Sequence, residues 1–243
     1  MEGLNRGNLG KQRQIDGVFI KRLNRFAALV DIDGKSEIAH VPNSGRLKEL
    51  LIPDNAVLIS PAENPERKTR YTLKAVRHEG IWVSIDSTVV NDLIGEALNN
   101  GKLPYFCRIK ELRREAVYKR SRFDFYIYEA NGRECFLEVK SVTLVKHRIA
   151  MFPDAPTERG RKHLMELIDA VKNGYRAIVI FCIQRSDADS FRPYDENDPA
   201  FGNALREAWK SGVEICAINC KVDHGDPVLF KEVDVQLSNQ PGS

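Results

Sequence analysis

The chain has 243 residues, 42% hydrophobic and 29% charged, the balance of a globular protein with one large or two small domains and an adequate core. A formal net charge of +3 is too small to draw nucleic acid to the molecule as a whole, so any phosphate-binding surface must come from local clustering. No apolar run approaches the roughly 18–20 residues of a membrane span, and the polar start Met1-Glu2-Gly3-Leu4-Asn5-Arg6 lacks the apolar core of a signal peptide, which predicts a cytoplasmic protein.

Residues 1–13 are polar, with Arg6, Lys11 and Arg13 available for weak phosphate contact. Short β-branched and aromatic runs follow at 17–22, 27–32, 36–41, 56–60, 71–77 and 81–86, with Asp33-Gly34 and Glu79-Gly80 as hairpin turns. Six short strands with one helix-prone stretch at 46–51 predict a small closed barrel. Lys21, Arg22, Arg25, Phe26, Lys68, Arg70, Tyr71, Lys74 and Arg77 are its candidate nucleic-acid face. In the turn Asn43-Ser44-Gly45-Arg46 the glycine permits an unusual backbone, and exposed amides with Arg46 could hold a phosphate.

From Ser87 the pattern changes. Val90, Leu93, Ile94, Ala97 and Leu98 recur at helical spacing, with Gly101 as a stop. A strand is predicted within 105–118, followed by a basic loop at 119–122. Phe123 to Tyr128 and Glu134 to Val142 read as a hairpin about Asn131-Gly132. Alternation puts Glu138 and Lys140 on one face while Leu137 and Val139 point into a packed layer, and pairing back from the turn brings Asp124 towards them. Unpaired charges are costly in a core. Two carboxylates beside a lysine suit a hard divalent cation, so Asp124 and Glu138 are candidate ligands for Mg2+ or Mn2+, and Lys140 is placed to orient water and offset phosphate charge.

Past the hairpin, 146–148 reads as a flexible basic connection, and Thr157 caps a helix carrying Leu164, Leu167, Ile168 and Val171 that stops near Asn173-Gly174. Its first turns hold Arg159, Arg161, Lys162 and His163. Cations at a helix N-terminus oppose the dipole unless an anion arrives, and a phosphate backbone is the obvious anion. His163 is a candidate phosphate contact or proton carrier, with a packed histidine as the alternative. The apolar run 175–184 predicts a strand buried on both faces, with Gln184 at its end within reach of substrate. A loop at 191–195, a helix at 199–210 and an edge strand at 213–217 complete the chain. Five cysteines without a C-x-x-C pair read as core fillers in a reducing compartment.

Asp124 followed by Glu138-Val139-Lys140 resembles the D…(D/E)xK signature of the PD-(D/E)xK nucleases. Together with Val41-Pro42-Asn43-Ser44-Gly45-Arg46-Leu47, Ser121-Arg122-Phe123-Asp124-Phe125 and the long stretch from Phe152-Pro153-Asp154 to His163-Leu164, it is similar to the sugar fermentation stimulation protein A family over nearly the whole chain. The resemblance implies an α/β (α+β) protein, with an OB-like β-barrel over 1–86 followed by a PD-(D/E)xK nuclease-like αβββαβ domain over 87–243. It also implies DNA binding; the residues themselves nominate Arg46, Arg122, Arg159, Arg161, Lys162 and His163 as the contacts, on single-stranded or duplex DNA, and the acid-acid-lysine set points to metal-dependent phosphodiester hydrolysis. In the nuclease superfamily an acid on the first core helix often completes the metal site, which nominates Glu96, with Glu115 as its rival. The alternative is a non-catalytic DNA-binding regulator linked to sugar metabolism.

Overall fold

Strands with alternating burial open the computed structural model, which describes residues 14–238 apart from 63, 65 and 224; Arg6, Lys11 and Arg13 lie outside the described residues. β1 (Ile15–Asn24), β2 (Ala27–Ile32), β3 (Lys35–His40), β4 (Ala56–Pro61) and β5 (Tyr71–His78) run in the order β3-β2-β1-β4-β5. A parallel pairing of Ala39 with Tyr71 and His40 with Thr72 closes the sheet into a barrel, while every other neighbouring pair is antiparallel. This is the five-stranded OB architecture. β6 (Ile81–Ser84) extends it beside β5. Phe19, Val30, Ile59, Leu73 and Ile85 fill the interior. Asp33-Gly34 and Glu79-Gly80 take positive φ at both positions, the hand that matches the strand twist. The stretch 46–51 makes one turn rather than a helix: the Leu50 and Leu51 amides both donate to the Leu47 carbonyl, and Pro53 two residues on disfavours helical backbone at Ile52.

α1 (Val89–Asn99) leads into the meander β7 (Ile109–Tyr118), β8 (Ser121–Glu129) and β9 (Glu134–Val142). β10 (Val145–Lys146) and β11 (Ile149–Phe152) form a hairpin whose turn residues His147 and Arg148 take positive φ, so the connection predicted to be flexible is built. Next come α2 (Glu158–Lys172), β12 (Arg176–Ile183), β13 (Ser190–Pro193), α3 (Pro199–Lys210), β14 (Glu214–Asp223), β15 (Asp226–Glu232) and β16 (Asp234–Val235). The main sheet runs β15-β14-β12-β9-β8-β7, with β12 parallel to both β9 and β14. The αβββαβ order read from the sequence is the order of α1, β7, β8, β9, α2 and β12. Residues 191–195, read as a loop, contain part of β13, which pairs with β11 in a second small sheet. β14 is not an edge, because β15 covers it.

Each face of the main sheet carries helices. Val90, Ile94 and Leu98 of α1 pack on Phe125, Leu137, Val139 and Ile180. Leu164 and Leu167 of α2 and Phe201 and Leu205 of α3 pack on Phe136, Val179 and Phe181 on the other side. Thr157 caps α2 by accepting from the Gly160 amide at 3.0 Å, and Asp198 caps α3 from the Phe201 amide. Among the described residues, no helix is long and apolar enough to cross a membrane. The barrel is bolted to the sheet at Gln184. Its backbone carbonyl accepts from the Ser84 amide, its side-chain amide donates to Ser84 Oγ and the Asp86 carbonyl, and its Oε1 accepts from Ser141 Oγ. Gln184 is fully buried, so the sequence reading that set it against substrate is corrected: its polar atoms are spent on the joint.

A candidate metal-binding cleft between barrel and sheet

The β8–β9 register pairs Phe125 with Leu137, one step short of Asp124 and Glu138. Beyond that pair the ladder opens. The Val139 amide donates to Asp124 Oδ2 at 2.7 Å instead of continuing the sheet. Side-chain alternation also breaks here, since Phe123 packs on the α2 face and Phe125 on the α1 face. Asp124 is therefore steadied from α1, where Asn91 Nδ2 donates to Oδ1 at 2.7 Å, and Glu138 from α2, where His163 Nδ1 lies 2.6 Å from Oε1. Glu138 and Lys140, two apart on β9, meet at 2.5 Å through Oε1 and Nζ.

Asp124, Glu138 and Lys140 line a cleft of about 380 Å3 whose far wall includes Arg25 and Asn43 to Gly45 of the barrel, with Pro153 to Thr157 and Arg159 closing one side. Burial, and then the neighbouring Glu138 charge, push the Asp124 carboxyl up to about 6, against the opposing pull of the Val139 amide, Lys140 and Asn91. Burial also raises Glu138, but Lys140 and His163 outweigh it and hold that carboxyl below its ordinary value. Its second oxygen, Oε2, is buried with no hydrogen-bond partner, and an orphaned buried carboxylate oxygen is costly. That unmet oxygen beside a second carboxylate fits a hard cation. Among the described residues no three of His, Cys, Asp and Glu gather as a metal cluster, but an ion that keeps several waters needs only one or two carboxylates.

The barrel wall is held by Arg22, whose guanidinium donates to the carbonyls of Asn43, Gly45, Arg46 and Arg25. Asp154 Oδ2 accepts from the Arg46 amide at 2.8 Å. A Cβ on Gly45 would sit 2.5 Å from that same oxygen, so glycine is required there by close approach. Arg22 and Lys74 are thereby withdrawn from the open basic face that the sequence suggested; Lys74 ion-pairs with buried Asp86 at 2.8 Å.

Of the other candidates, Arg159 lines the cleft, whereas Arg46, Arg122, Arg161 and Lys162 stand outside its lining. Arg122 is paired with Glu115, and Lys162 donates to the Arg120 carbonyl. His163 is only 5% exposed behind Glu138, which corrects its assignment as a surface phosphate contact. Glu96 is corrected too: it is exposed on α1, while Asn91 is the residue that α1 turns to Asp124. Five helical residues amount to about 140° of net rotation. Glu115 sits at a positive-φ break in β7 with its carboxylate on Arg122, away from the cleft. Asp154 lies in the stretch that carries the family resemblance, and Asn91 reads as no more than a possible helix cap; neither is marked in the sequence as a partner of the cleft.

Two family models match the chain: the SfsA N-terminal OB domain over residues 20–85 and the Sugar fermentation stimulation protein RE domain over 88–226. A sugar fermentation stimulation protein homolog from Acetivibrio thermocellus is 52% identical over 84% of this chain and 88% of its own length. One from Desulforamulus reducens is 48% identical over 92% of both. Among solved structures, Pyrococcus furiosus SfsA in complex with Ca2+ superposes with a TM-score of 0.84 at 33% identity, covering 92% of this chain and 96% of that one. With both halves matched and about half of the aligned residues shared with such relatives, the chain belongs to the sugar fermentation stimulation protein family.

Proposed function

We propose that this protein is a DNA-binding, divalent-metal-dependent phosphodiesterase acting in the cleft between barrel and sheet. The observation that carries the reading is the orphaned Oε2 of Glu138 in a cleft that Asp124 and Lys140 also line. Asp124 and Glu138 would hold Mg2+ or Mn2+, and a related protein of known structure holds Ca2+, an ion with the same preference for oxygen donors. The metal, when bound, supplies an acidified water and charge neutralisation at the phosphate. Asn91 and the Val139 amide keep Asp124 aimed inward, each taking one lone pair and leaving the others for coordination. Lys140, anchored on Glu138, is the group that orients the attacking water and meets charge building on the phosphoryl oxygens. Arg25 and Arg159 line the cleft from the barrel and from α2, and their guanidinium groups can grip phosphates on opposite sides of the scissile one.

The test is incubation with end-labelled single-stranded and duplex DNA in Mg2+, in Mn2+ and in EDTA. Cleavage that needs the metal, on either substrate, is the expected result. Binding that persists in every condition without cleavage is the result that leaves a regulator built on a nuclease scaffold.

A further inference from the structure

We infer that His163 is a positioning residue of this metal site: it pins one oxygen of Glu138 from the buried side so that the other is presented to the cation. The inference rests on the reading of the cleft as a metal centre and assigns a residue beyond it. Two donors converge on Glu138 Oε1, Lys140 Nζ at 2.5 Å and His163 Nδ1 at 2.6 Å, and none reaches Oε2. The last torsion of a glutamate is broad and nearly two-fold, so something has to choose which oxygen faces the cleft. Lys140, on a flexible stem, can follow the carboxylate either way. The imidazole cannot: its ring stands edge-on to Phe123 with centroids 5.8 Å apart, and α2, capped at Thr157, fixes its backbone.

The donor direction is also set. An ionised carboxylate can only accept, so Nδ1 is the nitrogen that donates to Glu138, and the Arg159 Nε–H, 3.5 Å from Nε2, lies on the ring's other nitrogen. Fixing a ligand's orientation from behind in this way typically contributes 10–100-fold in metal affinity.

The experiment is Mn2+ titration calorimetry on the full chain, comparing wild type with His163→Asn, His163→Leu and Asp124→Asn, each checked for folding by circular dichroism. Asparagine places an N–H close to where Nδ1 stands but leaves volume unfilled; leucine fills volume but donates nothing. Positioning predicts that His163→Leu weakens Mn2+ about 10–100-fold and that His163→Asn stays within about threefold of wild type. A residue that only packs predicts the reverse order. His163→Phe replaces the leucine variant should that one not fold. Mn2+ binding that survives the apolar replacement, or that falls as far in His163→Asn, overturns the positioning role. If wild type shows no Mn2+ binding that Asp124→Asn removes, the metal centre itself falls and the positioning role with it, a pattern distinct from either of those.

Discussion

At the scale of single residues, the site is held together against its own charge. Asp124 is buried beside Glu138, and its carboxyl is raised from 3.8 to about 6; a raised folded-state value means that the metal-free fold binds the proton more tightly than the unfolded chain does. Stability attributable to Asp124 is therefore fully present below about pH 4 and is lost as pH rises through about 6. Asp124→Asn removes that titration, worth up to about 3 kcal/mol, while setting an amide N–H against one of the two donors, Asn91 Nδ2 or the Val139 amide. The metal-free variant should therefore lose less stability than wild type between pH 4 and pH 7.5, and metal binding should be abolished, with thermal scans in EDTA and Mn2+ titration reporting the two halves. In wild type, Mn2+ affinity should fall about tenfold per pH unit below about pH 6, because the ligand must be deprotonated. A flat affinity between pH 5 and 7 would show that Asp124 is not a ligand.

At the scale of elements, residues 43–45 with Arg25 form the barrel's wall of the cleft, and Arg22 and Asp154 hold the turn. Arg22→Ala removes the donor to five carbonyl oxygens, those of Asn24, Arg25, Asn43, Gly45 and Arg46, and should cost about 1–3 kcal/mol of stability while lowering DNA affinity, measurable by denaturant titration and fluorescence anisotropy. Such elements were unevenly legible. The β8–β9 hairpin could be read because its turn and its alternation are local, and they sufficed to place Glu138 with Lys140. The partners from α1 and α2 could not. Helical spacing reveals an apolar stripe but not which flanking polar residue turns towards a sheet edge, so the sequence points to Glu96 where Asn91 stands, and it leaves His163 open between phosphate contact and packed histidine without showing Glu138 as its partner. β15 was missed because its inward face is only Pro227 and half-buried Leu229, while the equally apolar Val228 and Phe230 are exposed, so the sequence shows no alternation of apolar with polar residues, and a proline argues against a strand. β13 and β16 are only four and two residues long, below what a period-2 pattern can signal.

At the scale of the whole molecule, the cleft exists because barrel and sheet are locked in one relative position. Gln184 supplies that lock through Ser84, Asp86 and Ser141. Gln184→Leu leaves those groups without it and should cost about 2–4 kcal/mol, roughly 5–10 °C in melting temperature for a chain of this size; calorimetry that shows no shift would mean that the joint does not depend on it. With a net charge of only +3, the proposed phosphate contacts rest on local clustering at this joint, where the guanidinium groups of Arg25 and Arg159, from different elements, line one small cleft. The most direct measurement is the single-turnover rate of DNA cleavage in Mg2+ for wild type and Asp124→Asn, with DNA binding followed in parallel. A loss of at least about 100-fold in rate with binding retained is the predicted result, and equal cleavage by both proteins would contradict the account.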